Sequence, residues 1–242
     1  MLIKEAVLKL KITFLVLFVF CVSLAFSFEK TERMSLSADG IDKIVIDCGS
    51  GFLYVTGEDS LRSIEVEAEI IVKGKREKDI EDYVKKNVKL ELKKQGSKAV
   101  LVSMFKNQFP NINFRTRVIN LTVQVPKNLG VEVDDGSGGM KIEHIDGNLQ
   151  IDDGSGEITV RDILGDVDID DGSGTVDVRD VTGNVTVDDG SGTIKVNDIG
   201  ENVKVSDGSG SIYIDGVGGD VIIKDDGSGS VKISNVTGKV VK

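Results

Sequence analysis

From residue 134 onward, aliphatic and polar positions alternate in short bursts that return at a fixed distance. Asp-Gly-Ser-Gly begins at Asp135, Asp153, Asp171, Asp189, Asp207 and Asp226, at intervals of 18, 18, 18, 18 and 19 residues. Each period divides into two nine-residue halves. Asp170 to Val178 and Arg179 to Val187 both carry Asp second, Gly fifth and aliphatic residues seventh and ninth. The seventh and ninth side chains of a half point one way and the eighth the other, which is the period of a β-strand. Val and Ile dominate these positions, as a pleated surface prefers.

A fixed repeat of this size is the mark of a solenoid. Stacked coils align Met140, Ile158, Val176, Ile194, Ile212 and Val231 in one interior column and Ile142, Val160, Val178, Val196, Ile214 and Ile233 in the next. The opposite strand supplies Leu149, Val167, Val185, Val203, Val221 and Val240, then Ile151, Ile169, Val187, Val205 and Ile223. Ile145, Ile163, Val181, Ile199, Val217 and Val236 plug the second turn. Burying each such side chain is worth about 1.5 to 3 kcal/mol, enough to offset the ordering entropy of the coils. The expected fold is therefore all-β, a single-stranded β-solenoid with about 18 residues per coil. A triangular hexapeptide solenoid shares that period but repeats its apolar positions every six residues. The spacing here favours a flattened coil with two main faces. The extra residue before Gly227 reads as a bulge.

Residues 35–133 have a different texture. Ile44 to Ile46, Phe52 to Val55 and Ile64 to Val72 alternate like strands, and Asp47-Cys48-Gly49-Ser50-Gly51 looks like a diverged copy of the repeat turn. Ile80, Tyr83, Val84 and Val88 have helical spacing, which predicts a short amphipathic helix over 76–87. Val88 to Leu92 and Ala99 to Phe105 form a hairpin around Gln95-Gly96-Ser97. The segment reads as an irregular first part of the solenoid, with helix and hairpin as the cap that shields the apolar end of a stack. Residues 134–242 form the regular repeats.

At the N-terminus, Lys4, Lys9 and Lys11 precede the uncharged apolar run Ile12 to Phe28. That order is a secretory signal over residues 1–27, with small residues allowing cleavage after Ala25 or Ser27. The alternative is an uncleaved membrane anchor. Once the signal is removed, Cys48 is the sole thiol, so no internal disulfide forms. The location implied is extracytoplasmic.

Composition and charge sharpen this picture. The net charge of −10 argues against a nucleic-acid partner, which needs a basic footprint. Residues 134–242 hold 21 of the 28 glycines and carry a balance of −14, which leaves +4 for residues 1–133. Stacked Asp135, Asp153, Asp171, Asp189, Asp207 and Asp226 repel one another at the coil spacing, as do Asp134, Asp152, Asp170 and Asp188. Local turn chemistry answers that repulsion through Asx-turns and glycine. Calcium bound along the ladder of Asp135, Asp153, Asp171, Asp189, Asp207 and Asp226 is the alternative, and the only cofactor the residues suggest. No catalytic constellation is legible. The six ladder serines have no base beside them, His144 is alone, and Cys48 lacks a His partner. Val240 and Val241, on the last coil, offer a strand edge for another chain, including a second copy.

The repeated Asp-Gly-Ser-Gly-x-[Ile/Val]-x-Val pattern, the strand Leu121-Thr-Val-Gln-Val-Pro126 and the signal segment resemble the bacterial putative-adhesin β-strand-repeat family, a domain of unknown function. The resemblance covers about residues 36–242 and implies an extracytoplasmic β-solenoid; it carries no catalytic residues across. The expected role is a non-enzymatic surface adhesin or cell-envelope scaffold that presents acidic faces to a protein or envelope partner. The membrane is involved only through an uncleaved N-terminal segment. A calcium-binding acidic β-roll and a polymer-forming, bactofilin-like scaffold are the alternatives.

Overall fold

The computed structural model of the protein describes residues 26–74, 77–106 and 116–242. The export segment lies outside the described residues as far as Ala25, as does Arg76 at the expected helix start. Chain order begins β1 (Phe26–Ser37), β2 (Lys43–Glu58), β3 (Ser63–Gly74), α1 (Glu77–Asn87), β4 (Val88–Gln95), β5 (Lys98–Phe105), β6 (Thr116–Pro126) and β7 (Gly130–Ile145). Shorter strands then alternate: β8 (Leu149–Asp153), β9 (Gly156–Ile163), β10 (Val167–Asp171), β11 (Gly174–Val181), β12 (Val185–Asp189) and β13 (Gly192–Ile199). The last coils contain β14 (Val203–Asp207), β15 (Gly210–Val217), β16 (Val221–Asp225), β17 (Val231–Val236) and β18 (Val240–Val241).

Each coil pairs in parallel with the one 18 residues before it, so Val167 faces Val185 and Gly174 faces Gly192. The protein is a parallel β-solenoid with two strands per coil. Strands β8, β10, β12, β14, β16 and β18 build one face; β9, β11, β13, β15 and β17 build the other. Alternation puts Val176 and Val178 inside and Asp177 between them outside. The interior columns are buried from Met140 as far as Ile223. In the last coil Val231, Ile233 and Val236 are only partly buried, and Val240 and Val241 are about half exposed. Register shifts after Val205, where Ser206 pairs with Asp225 and Lys224 is left over, so the extra residue is a bulge.

Parallel stacking extends further toward the N-terminus than the regular repeat. Strand β2 lies over β7 from Lys43 opposite Gly130 to Thr56 opposite Glu143, with Cys48 on Asp135 and Gly51 on Gly138. Above β2, one further layer is built from β5 on one face and β6 on the other. Beyond it the direction reverses. Strand β4 pairs antiparallel with β5, β3 with β6, and β1 with β3. Helix α1 packs against β1, β3 and β4 and buries Ile80, Tyr83 and Val84 in the gap between the faces. Their i, i+3, i+4 spacing makes the apolar stripe that this position requires. Lys85 and Lys86 in its last turn complement the helix dipole.

Strand β1 has no counterpart in the sequence reading. Its alternation is confined to Met34 and Leu36, and its first residues continue the apolar run that looks like a signal. Pairing with β3, from Phe26 opposite Gly74 to Ser37 opposite Ser63, is what makes it a strand.

Candidate functional site

The Asp-Gly-Ser-Gly corner carries the chemistry that the repeat multiplies. In β10, Val167, Ile169 and Asp171 share one parity and all point inward. The same holds for Asp135, Asp153, Asp189 and Asp207, none more than 4% exposed. These carboxylates are interior groups, and the outward acidic face that the sequence suggests is built from their neighbours instead. Asp226 is the exception. The bulge at Lys224 carries it out of phase, and it is exposed.

One oxygen of each interior carboxylate is used by the turn. The backbone amide of Ser173 donates to Asp171 Oδ1 at 3.1 Å, Ser191 to Asp189 at 2.9 Å, Ser209 to Asp207 at 2.9 Å and Ser155 to Asp153 at 3.2 Å. These are Asx-turns. The corner closes tightly because it is made of glycine: a Cβ on Gly192, at φ +154°, would lie 1.7 Å from the Gly174 carbonyl oxygen. The other oxygen, Oδ2, is buried without a hydrogen-bond partner in Asp135, Asp153, Asp171, Asp189 and Asp207. Burial raises all five carboxyl pKa values, Asp153 and Asp189 to about 6; Asp135 reinforces the effect on Asp153, and Asp171 and Asp207 on Asp189.

The column continues through the cap. Cys48 stacks on Asp135 and Ser103 on Cys48, and the Ser103 hydroxyl is likewise buried without a partner. Burial and then Asp135 push the Cys48 thiol far up, so it is held as an unreactive thiol. Among the described residues no three His, Cys, Asp or Glu side chains converge as a metal would need. The calcium candidates Asp135, Asp153, Asp171, Asp189 and Asp207 follow one another along the axis, one per coil, and Asp226 stands apart.

The opposite corner uses polar residues differently. His144, Asp162, Asp180, Asp198 and Asn235 all have φ between +52° and +63°, with Gly216 at +73° in the same place. Asp, Asn, His and Gly tolerate this left-handed conformation best, so His144 belongs to a conformational series. It is exposed, with Nδ1 2.6 Å from Asp162 Oδ2. Beside it, Asn148, Asp166, Asn184 and Asn202 each accept a backbone N–H from the next coil, at 2.8 to 3.2 Å.

Outward positions differ between the faces. On the face of β8, β10 and β12, Asp47, Asp134, Asp152, Asp170 and Asp188 follow one another in register. Desolvation, Asp152 and Asp47 raise the Asp134 carboxyl. Farther along, Lys204 and Lys224 replace the acids. The other face mixes charges: Arg179 forms a two-pronged pair with Asp177 at 2.8 and 2.9 Å, and Tyr54 donates to Glu143 at 2.6 Å. Away from both faces, a groove of about 570 Å³ lies between β1, α1 and β4, floored by Phe28, Met34, Ile70, Val84, Val88 and Leu90. No sequence signal pointed to it, because its walls come from three separate elements.

No protein-family model matches the chain, and no match is found among the curated proteins. Among solved structures it is similar to one named putative cell adhesion protein from Clostridium sporogenes, with 13% identity, a TM-score of 0.37, and 88% of this chain and 98% of that one covered. It is also similar to a putative lipid binding protein from Parabacteroides distasonis, at 18% identity and TM-score 0.45, covering 88% and 97%. A third, a putative adhesin from Bacteroides fragilis, has 12% identity and TM-score 0.37, covering 88% and 96%. At this distance the likeness assigns no role.

Proposed function

We propose that this chain is an exported, non-enzymatic β-solenoid that acts by surface contact, as an adhesin-like or cell-envelope scaffold module. The observation that carries the reading is the uniform shortness of the corners. Gly172 and Ser173 alone join β10 to β11, and residues 182–184 join β11 to β12. Corners this short raise no walls around a cleft, and the coils present two level polar faces. The row Asp134, Asp152, Asp170 and Asp188 favours a partner with cationic groups at the strand spacing of about 4.8 Å.

The test pairs location with surface chemistry. Protease added to intact cells is expected to remove the protein, and replacing Asp152 and Asp170 by Lys is expected to abolish attachment while circular dichroism stays that of the parent. Retention in the cytosol, or attachment indifferent to the substitutions, would overturn the proposal. A second contact is favoured by Ile222, Val240 and Val241, large apolar residues that are 41 to 51% exposed. It is self-association along the solenoid axis, which Val240→Asp is expected to suppress in sedimentation at high protein concentration.

A further inference from the structure

Five carboxyl groups, one hydroxyl and one thiol occupy a single buried file from Ser103 through Cys48 to Asp207. Asp135 to Asp207 stack one per coil. Their Oδ2 atoms have no partner and no access to solvent, an arrangement that proteins rarely leave uncompensated. The charged groups facing the file are acidic: Asp47 and Asp134 near Cys48 and Asp135, Asp170 beside Asp171, Asp188 beside Asp189, and Asp225 and Asp226 at Asp207. No counter-charge enters from these elements. A file of ionised carboxylates here would meet both the cost of desolvation and mutual repulsion.

We infer that the file is a proton-binding site, in which Asp153, Asp171 and Asp189 and their neighbours take protons from solvent and hydrogen-bond from coil to coil as carboxylic acids. A protonated carboxyl offers one donor and one acceptor, the same pair that a side-chain amide offers. Amide ladders bond along stacked strands at a repeat of about 4.8 Å. The protonated file is thus the carboxyl counterpart of an asparagine ladder, and Ser103 at its end supplies a further donor and acceptor. Raised carboxyl pKa values agree with this reading. The native state then holds protons that the unfolded chain releases. Stability is full below the ordinary carboxylate range and is lost as pH rises through about 6.

Asp171 and Asp189 alternate with Asp170 and Asp188, which face solvent, so a matched comparison is available. The variant D171N/D189N places neutral amides in the file; D170N/D188N removes surface charge only. The expected result is that D171N/D189N melts higher than the parent at about pH 8 and loses most of the parent's decline between about pH 4.5 and 8, whereas D170N/D188N keeps that decline. Carbon-13 titration of the aspartate carboxyls in the parent is expected to give midpoints near 6 for Asp153 and Asp189, and it decides the matter if the variant fails to fold. Midpoints in the ordinary carboxylate range would overturn the inference. So would a D171N/D189N variant less stable than the parent at high pH, or a rise in melting temperature on adding calcium or potassium chloride that this variant abolishes, since either makes the file a cation site.

Discussion

Gly192 and Asp180 show how closely a single position is constrained once coils are stacked. Gly192 combines φ +154° with a neighbouring carbonyl where a Cβ would stand. Gly192→Ala is expected to cost at least about 3 kcal/mol in urea unfolding, because strain and backbone displacement add. Gly96, at φ +62° in the β4–β5 turn with nothing within 4 Å, isolates the conformational part. Gly96→Ala should cost only about 1 kcal/mol. Asp180 at φ +57° makes the complementary case: Asp180→Val is expected to cost about 1 to 2 kcal/mol, and Asp180→Gly almost nothing, as Gly216 already fills the equivalent place. The His144 position was legible as polar from its row of Asp equivalents. That this row is left-handed follows from the backbone.

At the scale of elements, the cap is what lets the solenoid stop. Strands β3 and β4 reverse direction on the two faces, and α1 fills the space between them with Ile80, Tyr83 and Val84. Ile80 is almost wholly buried, and Ile80→Ala is expected to cost about 2 to 5 kcal/mol, measured as earlier urea unfolding with loss of the helical signal. The helix and the β4–β5 hairpin could be read in advance because each makes its contacts by local periodicity. Strand β1 could not, since its partner is 37 residues away at the nearest pair, Ser37 and Ser63 included only by the turn through Asp39 and Gly40 and the intervening β2. Its pairing from Phe26 also bears on export. Cleavage after Ala25 leaves every β1 pair in place, whereas cleavage after Ser27 removes two. N-terminal sequencing of the exported protein is therefore expected to begin at Phe26.

For the whole molecule, charge is sorted twice: between the faces, and between interior and surface. The outward row of Asp47, Asp134, Asp152, Asp170 and Asp188 sets like charges a strand spacing apart, a repulsion of about 1 kcal/mol per adjacent pair in water that salt screens. Melting temperature at neutral pH is expected to rise between low and about 0.5 M sodium chloride, and D170N/D188N should reduce that rise. The sequence by itself determined the coil, because a shift of 18 residues along the chain is a shift of one strand spacing in space, and apolar columns in register report that translation directly. It also contained the parity of Asp171 with Val167 and Ile169, from which the inward direction follows. Only the tertiary structure decided what that direction means. Glycine corners of neighbouring coils close over the carboxyls and exclude water, and desolvation, a property of the packed stack, sets their charge.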